Sequence, residues 1–182
     1  MTADLGDIVS GSEMTKDWRH KTLSKGKFMG GASSMTNENW QRLCVEQITG
    51  KKCEKTNLRL NLDNATMMEL TRPSTRDDEL DWSEDFDGRI VNKKEYLYNF
   101  KMVIGTGGGQ TRTIRELYHF IKCQFVFLKD NPDTEIIFIN ILDGDSMSAK
   151  LHRFIELKTK FNEHDRIFIG DTKTYQKNWK KY

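Results

Sequence analysis

The sequence predicts an α/β fold in which a mixed central sheet is flanked by helices. Three observations carry it. Residues 87–91 and 95–104 read as two strands joined at Asn92-Lys93-Lys94, a hairpin. Residues 135–142 form a nearly continuous apolar run, the pattern of a strand buried on both faces. Amphipathic helical segments stand on either side of that run, over 113–128 and 146–161.

In chain order, residues 1–35 hold Gly6, Gly11, Gly26, Gly30 and Gly31 among many Ser and Thr, with no sustained periodicity. This predicts an irregular N-terminal arm followed by one domain over 36–182. Asn39 can cap a helix, and Trp40, Leu43, Cys44 and Ile48 recur at helical spacing before Gly50 ends it. Segments 58–62 and 67–70 are short strand candidates, and 72–82 reads as a polar loop. A turn centred on Lys93 sets Asp87 opposite Asn99. Tyr96, Tyr98, Phe100 and Met102 then share one face of the second strand, and Leu97, Asn99, Lys101 and Val103 the other. A glycine loop at 105–109 leads into a helix with Thr113 and Glu116 placed as a capping box. Ile114, Leu117, Tyr118, Ile121, Phe125 and Leu128 form its apolar stripe. Arg166–Ile169 is a last short strand, and the lysine-rich tail 173–182 reads either as a contact for a phosphate backbone or as a plain terminal helix.

A chain of 182 residues buries about 70% of its unfolded surface, so a core forms without disulfide or metal staples. Four Trp, five Tyr and ten Phe exclude a disordered chain. No apolar run is long enough to cross a bilayer, and residues 1–8 lack the basic-then-apolar build of a secretion signal. Three cysteines without a CxxC pair predict free thiols and an intracellular, cytoplasmic or nuclear setting. Net charge is only +2, but it is distributed unevenly: six basic residues in 16–27, four lysines in 173–181, and seven acids in 77–87. Basic ends around an acidic middle suit a nucleic-acid enzyme with a metal site, and equally describe ordinary solvated charge.

The informative constellation is Asp85-Phe86-Asp87-Gly88 followed by Asn99-Phe100-Lys101 on the next strand. Hydrolysis of a phosphodiester calls for oxygen ligands that hold Mg²⁺ and a group that orients the attacking water. An acid on one strand and a ligand-x-lysine triplet on its neighbour supply both, with Phe100 as the apolar spacer and its carbonyl as a further ligand. The same hairpin also describes a surface ion pair. The loop GTGGGQT has Gln110 where a phosphate-binding P-loop requires lysine, which disfavours nucleotide hydrolysis. A helix start bearing Gln110, Thr111, Arg112 and Arg115 suits a DNA backbone phosphate and a base edge.

The order helix, strands, hairpin, helix, strand, with Asp87 and a triplet ending in Lys101, resembles the αβββαβ core of the PD-(D/E)XK nuclease superfamily. TGGGQTRTIRELYHFI (106–121), FINILDGD (138–145) and IFIGD (167–171) resemble type II restriction endonucleases in particular. The resemblance spans about residues 40–171. It implies a restriction-endonuclease-like core and a Mg²⁺-dependent endodeoxyribonuclease, with Mn²⁺ able to substitute. The substrate would be double-stranded DNA cut at specific sites, and the enzyme a homodimer. It implies that Asp87 holds the metal with Asn99, the Phe100 carbonyl and a first-helix acid, Glu46, and that Lys101 is the catalytic lysine. Asn99 stands where the family pattern has Asp or Glu, with Glu84 and Asp85 as alternative acids. Two further readings stay open: a nuclease of this fold with little sequence preference, serving homing, repair or recombination, and a catalytically impaired DNA-binding protein.

Overall fold

Two sheets divide the chain. The structure, a computed structural model, describes residues 5, 7–23, 37–70, 82–162 and 164–182. Strands β1 (Leu58–Asn61), β2 (Met67–Glu69) and β3 (Ser83–Asp85) form a small antiparallel sheet in the order β2-β1-β3. Strands β4 (Gly88–Val91), β5 (Glu95–Met102), β6 (Ile136–Asp143) and β7 (Ile167–Gly170) form the larger sheet in chain order. β4 and β5 pair antiparallel and the rest pair parallel, so this sheet is mixed. The helices are α1 (Lys16–Leu23), α2 (Asn37–Thr49), α3 (Gly108–Asp130), α4 (Asp145–Ser148), α5 (Leu151–Thr159) and α6 (Thr172–Asn178).

Strand alternation sorts the core into two layers. Leu97, Phe138, Leu142, Ile167 and Ile169 pack with Leu117, Phe120, Ile121 and Leu128 of α3 and with Phe154 and Leu157 of α5. Tyr98, Phe100, Ile137, Ile139 and Ile141 pack on the other face with Val45 of α2 and Tyr175 of α6. The mixed sheet is thus covered by helices on both sides, as parallel strands require.

Several boundaries differ from the sequence reading. Lys16–Leu23 is helical where an irregular arm is expected, and the arm is anchored. Leu5, Ile8, Met14 and Leu23 are buried against Trp40 and Cys44, and Trp18 meets Trp40 edge-on at 5.0 Å. The Trp40 stripe of α2 therefore faces the N-terminal segment, while Val45 faces the sheet. The other parts of the arm, 1–4, 6 and 24–35, residue 36, and residues 72–81 of the expected loop lie outside the described residues. Ser83–Asp85 is a strand that sequence reasoning missed. The expected capping box does not form, because α3 begins at Gly108 and the Thr113 hydroxyl donates to the Gly109 carbonyl, 3.1 Å away. The single helix expected over 146–161 is two, α4 and α5, meeting at Lys150, whose φ of −112° and ψ of 0° break the helical path.

Gly144 ends β6 at φ +101°, and a Cβ there would lie 2.1 Å from the Val103 carbonyl oxygen. Gly144→Ala is expected to cost about 3 kcal/mol or more through strain and overpacking. The check is a thermal melt lowered by roughly 10 °C.

Candidate active site

Asp87 sits just before β4. The pairs Gly88↔Tyr98 and Ile90↔Tyr96, continued by one residue, set it opposite Asn99. Its N–H donates to the Tyr98 carbonyl at 2.8 Å, and its Oδ2 accepts from the Phe100 N–H at 2.6 Å. Gly88 permits this placement, since a Cβ there would lie 2.5 Å from the Cys53 sulfur. From α2, the Arg42 guanidinium donates to the Asp87 carbonyl, and at 2.6 Å to Glu38 Oε1. The helix thus fixes the backbone of the acid and brings a second carboxylate beside it.

Burial pushes the Asp87 carboxyl up to about 6. Nearby Lys101 and the Phe100 N–H oppose the rise, while Glu38 and Asp85 add to it. Burial also raises the Glu84 carboxyl on β3, against the pull of Lys101. Asp85 is paired with Arg59 at 3.1 Å. The Phe100 ring is buried among Tyr98, Cys53 and Ile139. Its carbonyl lies on the same strand edge as the N–H that meets Asp87, past the start of β4.

Asn99 is only 1% exposed and belongs to a buried chain of amides. It is paired in register with Asn140 on β6, and its Nδ2 donates to Asn140 Oδ1 at 2.9 Å. Asn140 and Gln124 of α3 exchange two hydrogen bonds, of 2.8 and 3.1 Å. Asn140 Nδ2 also donates to the Phe168 carbonyl. A backbone carbonyl only accepts, so it fixes which way the Asn140 amide points, and Asn140 in turn fixes Asn99. Asn99 Oδ1 is left turned away from Asn140, buried, and without a partner among the described residues. An orphaned amide oxygen opposite a buried carboxylate fits an oxygen-seeking divalent cation. The amide at 99 supplies the donor that Asn140 Oδ1 accepts, which an ionised carboxylate could not.

Asn99→Asp sets a carboxylate against Asn140 Oδ1. The expected result in EDTA is a loss of about 2–3 kcal/mol, from a repelled and unpaired buried group. Mg²⁺ is expected to restore part of the melting temperature, because a ligand of the native state stabilises it. Equal melts with and without Mg²⁺ would argue against a cation at this position.

Not every sequence candidate joins this site. Glu46 does not: its Oε1 accepts from the Cys53 N–H at 2.9 Å, so it braces the loop after α2. The α2 acid near Asp87 is Glu38, one helical turn before Arg42, and sequence reasoning missed both. Their i,i+4 spacing was the available signal. Among the described residues, no group of three or more His, Cys, Asp or Glu is placed to hold a metal. The four DNA candidates diverge. Gln110 borders a cavity of about 270 Å³ with Arg19 and Met102. Thr111 and Arg115 line a different cleft, toward α5. Arg112 is exposed and paired with Glu116 at 2.7 Å.

Asp143 serves as a structural brace. Fully buried at the end of β6, it accepts from the Thr172 N–H and hydroxyl and from Gln41 Nε2, at 3.0, 2.6 and 2.7 Å. Burial still pushes its carboxyl up to about 6. Cys44, Cys53 and Cys123 are free and buried. Among the described residues, no helix is long and apolar enough to cross a membrane.

Compared with known proteins, the chain matches no protein-family model, no curated protein and no solved structure.

Proposed function

We propose that this chain is a Mg²⁺-dependent endodeoxyribonuclease of the PD-(D/E)XK type, with a restriction-endonuclease-like core. The observation that carries the reading is the Asn99 oxygen, without a partner among the described residues, opposite the buried Asp87, with Lys101 beside the carboxylate. Asp87, Asn99 Oδ1 and the Phe100 carbonyl would hold the cation, which supplies charge neutralisation at the scissile phosphate and acidification of bound water. Mg²⁺ characteristically keeps several waters and takes one or two carboxylates plus substrate phosphate, so a sparse protein shell is in keeping with it.

In this reading Asp87 is ionised above pH 6, the form that binds a cation. Lys101 orients the attacking water and offers charge to the phosphate oxygens. Glu38 and Glu84 keep the pocket anionic around it. Cleavage leaves a 5′-phosphate, and a two-fold homodimer would read a palindromic site. Incubating supercoiled and long linear DNA with Mg²⁺ tests this: discrete fragments absent in EDTA support a site-specific nuclease. A smear retains the chemistry without the specificity. Intact DNA with tight binding favours the impaired, binding-only reading, which the amide at position 99 in place of a carboxylate motivates.

A further inference from the structure

The N-terminal half of α3 has a second charged flank. Glu116 lies toward Glu84, whereas Thr111 and Arg115 face α5 across a cleft of about 530 Å³. Three chain segments supply its cations: Arg115 from α3, Lys150 from the α4–α5 junction, and Arg153 and Lys160 from α5 and its end. All four are exposed, and among the described residues none makes an ion pair. Among the described residues, Glu156 is the single acid on the lining. The floor is aromatic, with Tyr118 and Phe154 ring centroids 5.7 Å apart.

Unpaired surface cations are ordinary one at a time. Four converging on one concavity, with one acid among them, repel each other and focus a positive potential into it. The helix break at Lys150 contributes, since it turns Lys150 and Arg153 into the cleft beside Arg115. Repeated phosphates answer this spread of charge better than a single small anion, because each cation can meet a separate one. The partly exposed Tyr118 face suits the flat apolar surfaces that accompany them in a nucleic acid.

We propose that the α3–α5 cleft is a second nucleic-acid contact, holding the phosphate backbone that flanks the bond at Asp87 on the far side of α3. This rests on the reading of the chain as a DNA-acting protein but not on its chemistry.

The test measures affinity of the full chain for a labelled duplex in EDTA, where no cleavage competes, across a salt series. Wild type is compared with Arg115→Ala/Arg153→Ala, with Lys150→Ala, and with Lys129→Ala as an exposed α3 cation outside the cleft. Each lost phosphate contact flattens the plot of log affinity against log salt by about 0.9. The double variant is therefore expected to lose about 1.8 in slope and at least 10-fold in affinity near 0.1 M salt, and Lys129→Ala neither. Circular dichroism checks folding, which substitutions at exposed positions should preserve. Wild-type slope in the cleft variants overturns the proposal even if DNA is cut, and a flattened slope supports it even if DNA is not cut. Inorganic triphosphate is the second arm. Displacement of the duplex by micromolar triphosphate in wild type, but not in the double variant, would assign the cleft to small polyphosphates and overturn nucleic-acid occupancy.

Discussion

Asp87→Asn is expected to remove Mg²⁺-dependent cleavage by at least about 10³-fold, equivalent to about 4 kcal/mol of barrier. At the same time it should make the protein more stable above pH 6. The two effects have one origin. The Asp87 carboxyl, held up to about 6 by burial, is forced to ionise in the fold at neutral pH. A folded-state pKa above the unfolded value of about 4 means that the native state holds the proton more tightly. Stability therefore falls as pH rises from about 4 to about 6 and is flat beyond. Asparagine removes that cost and can still accept the Phe100 N–H through its amide oxygen. The gain is about 2 kcal/mol at pH 8, shrinking to nothing below pH 4, read from denaturant melts at the two pH values in EDTA. A residue whose removal stabilises the fold while abolishing activity is placed for chemistry rather than for packing. Loss of stability at pH 8 would mean instead that the carboxylate is a structural partner.

Asn140→Leu is expected to have the largest effect on the amide chain. Leucine shares the branching at Cγ but is larger and apolar, and it strands Asn99 Nδ2, both polar ends of Gln124, and one acceptor role of the Phe168 carbonyl, all in a buried layer. Such groups cost about 1–3 kcal/mol each when unpaired, and partial relaxation brings the total to about 3–5 kcal/mol. The double variant Asn140→Leu/Gln124→Leu removes both stranded ends of Gln124 and is expected to recover part of the loss, which a double-mutant cycle reads directly. With the Asn99 amide free to rotate, Mg²⁺ should also protect the variant against thermal unfolding less than it protects wild type.

The path from sequence to site was open in some places and closed in others. The β4–β5 hairpin was legible because apolar and polar residues alternate and the turn is short, and this alone sets Asp87 opposite Asn99. The mixed sheet and its flanking helices were legible from the apolar run in β6 and the stripe of α3. The amide chain was not, because it joins three elements distant in sequence. Its traces are visible in retrospect: Asn140 is the one polar residue within 136–142, and Gln124 interrupts the apolar face of α3 between Ile121 and Leu128. Glu46 was chosen for its place on the first helix and Glu38 was not considered; the Arg42 contacts with Glu38 and the Asp87 carbonyl are what bring Glu38 to the site. The true start of α3 was hidden because three consecutive glycines read as a loop, yet Gly108 and Gly109 are helical. The capping pattern at Thr113 was therefore a coincidence of spacing.

The most direct measurement is the amount of Mn²⁺ bound to the protein–duplex complex at pH 8, counted by electron paramagnetic resonance for wild type, Asp87→Asn and Glu46→Gln. The account predicts saturable binding in wild type and Glu46→Gln, and binding at least 10-fold weaker in Asp87→Asn. Undiminished Mn²⁺ binding by Asp87→Asn would contradict it, because the buried carboxylate opposite Asn99 would then not be what holds the cation.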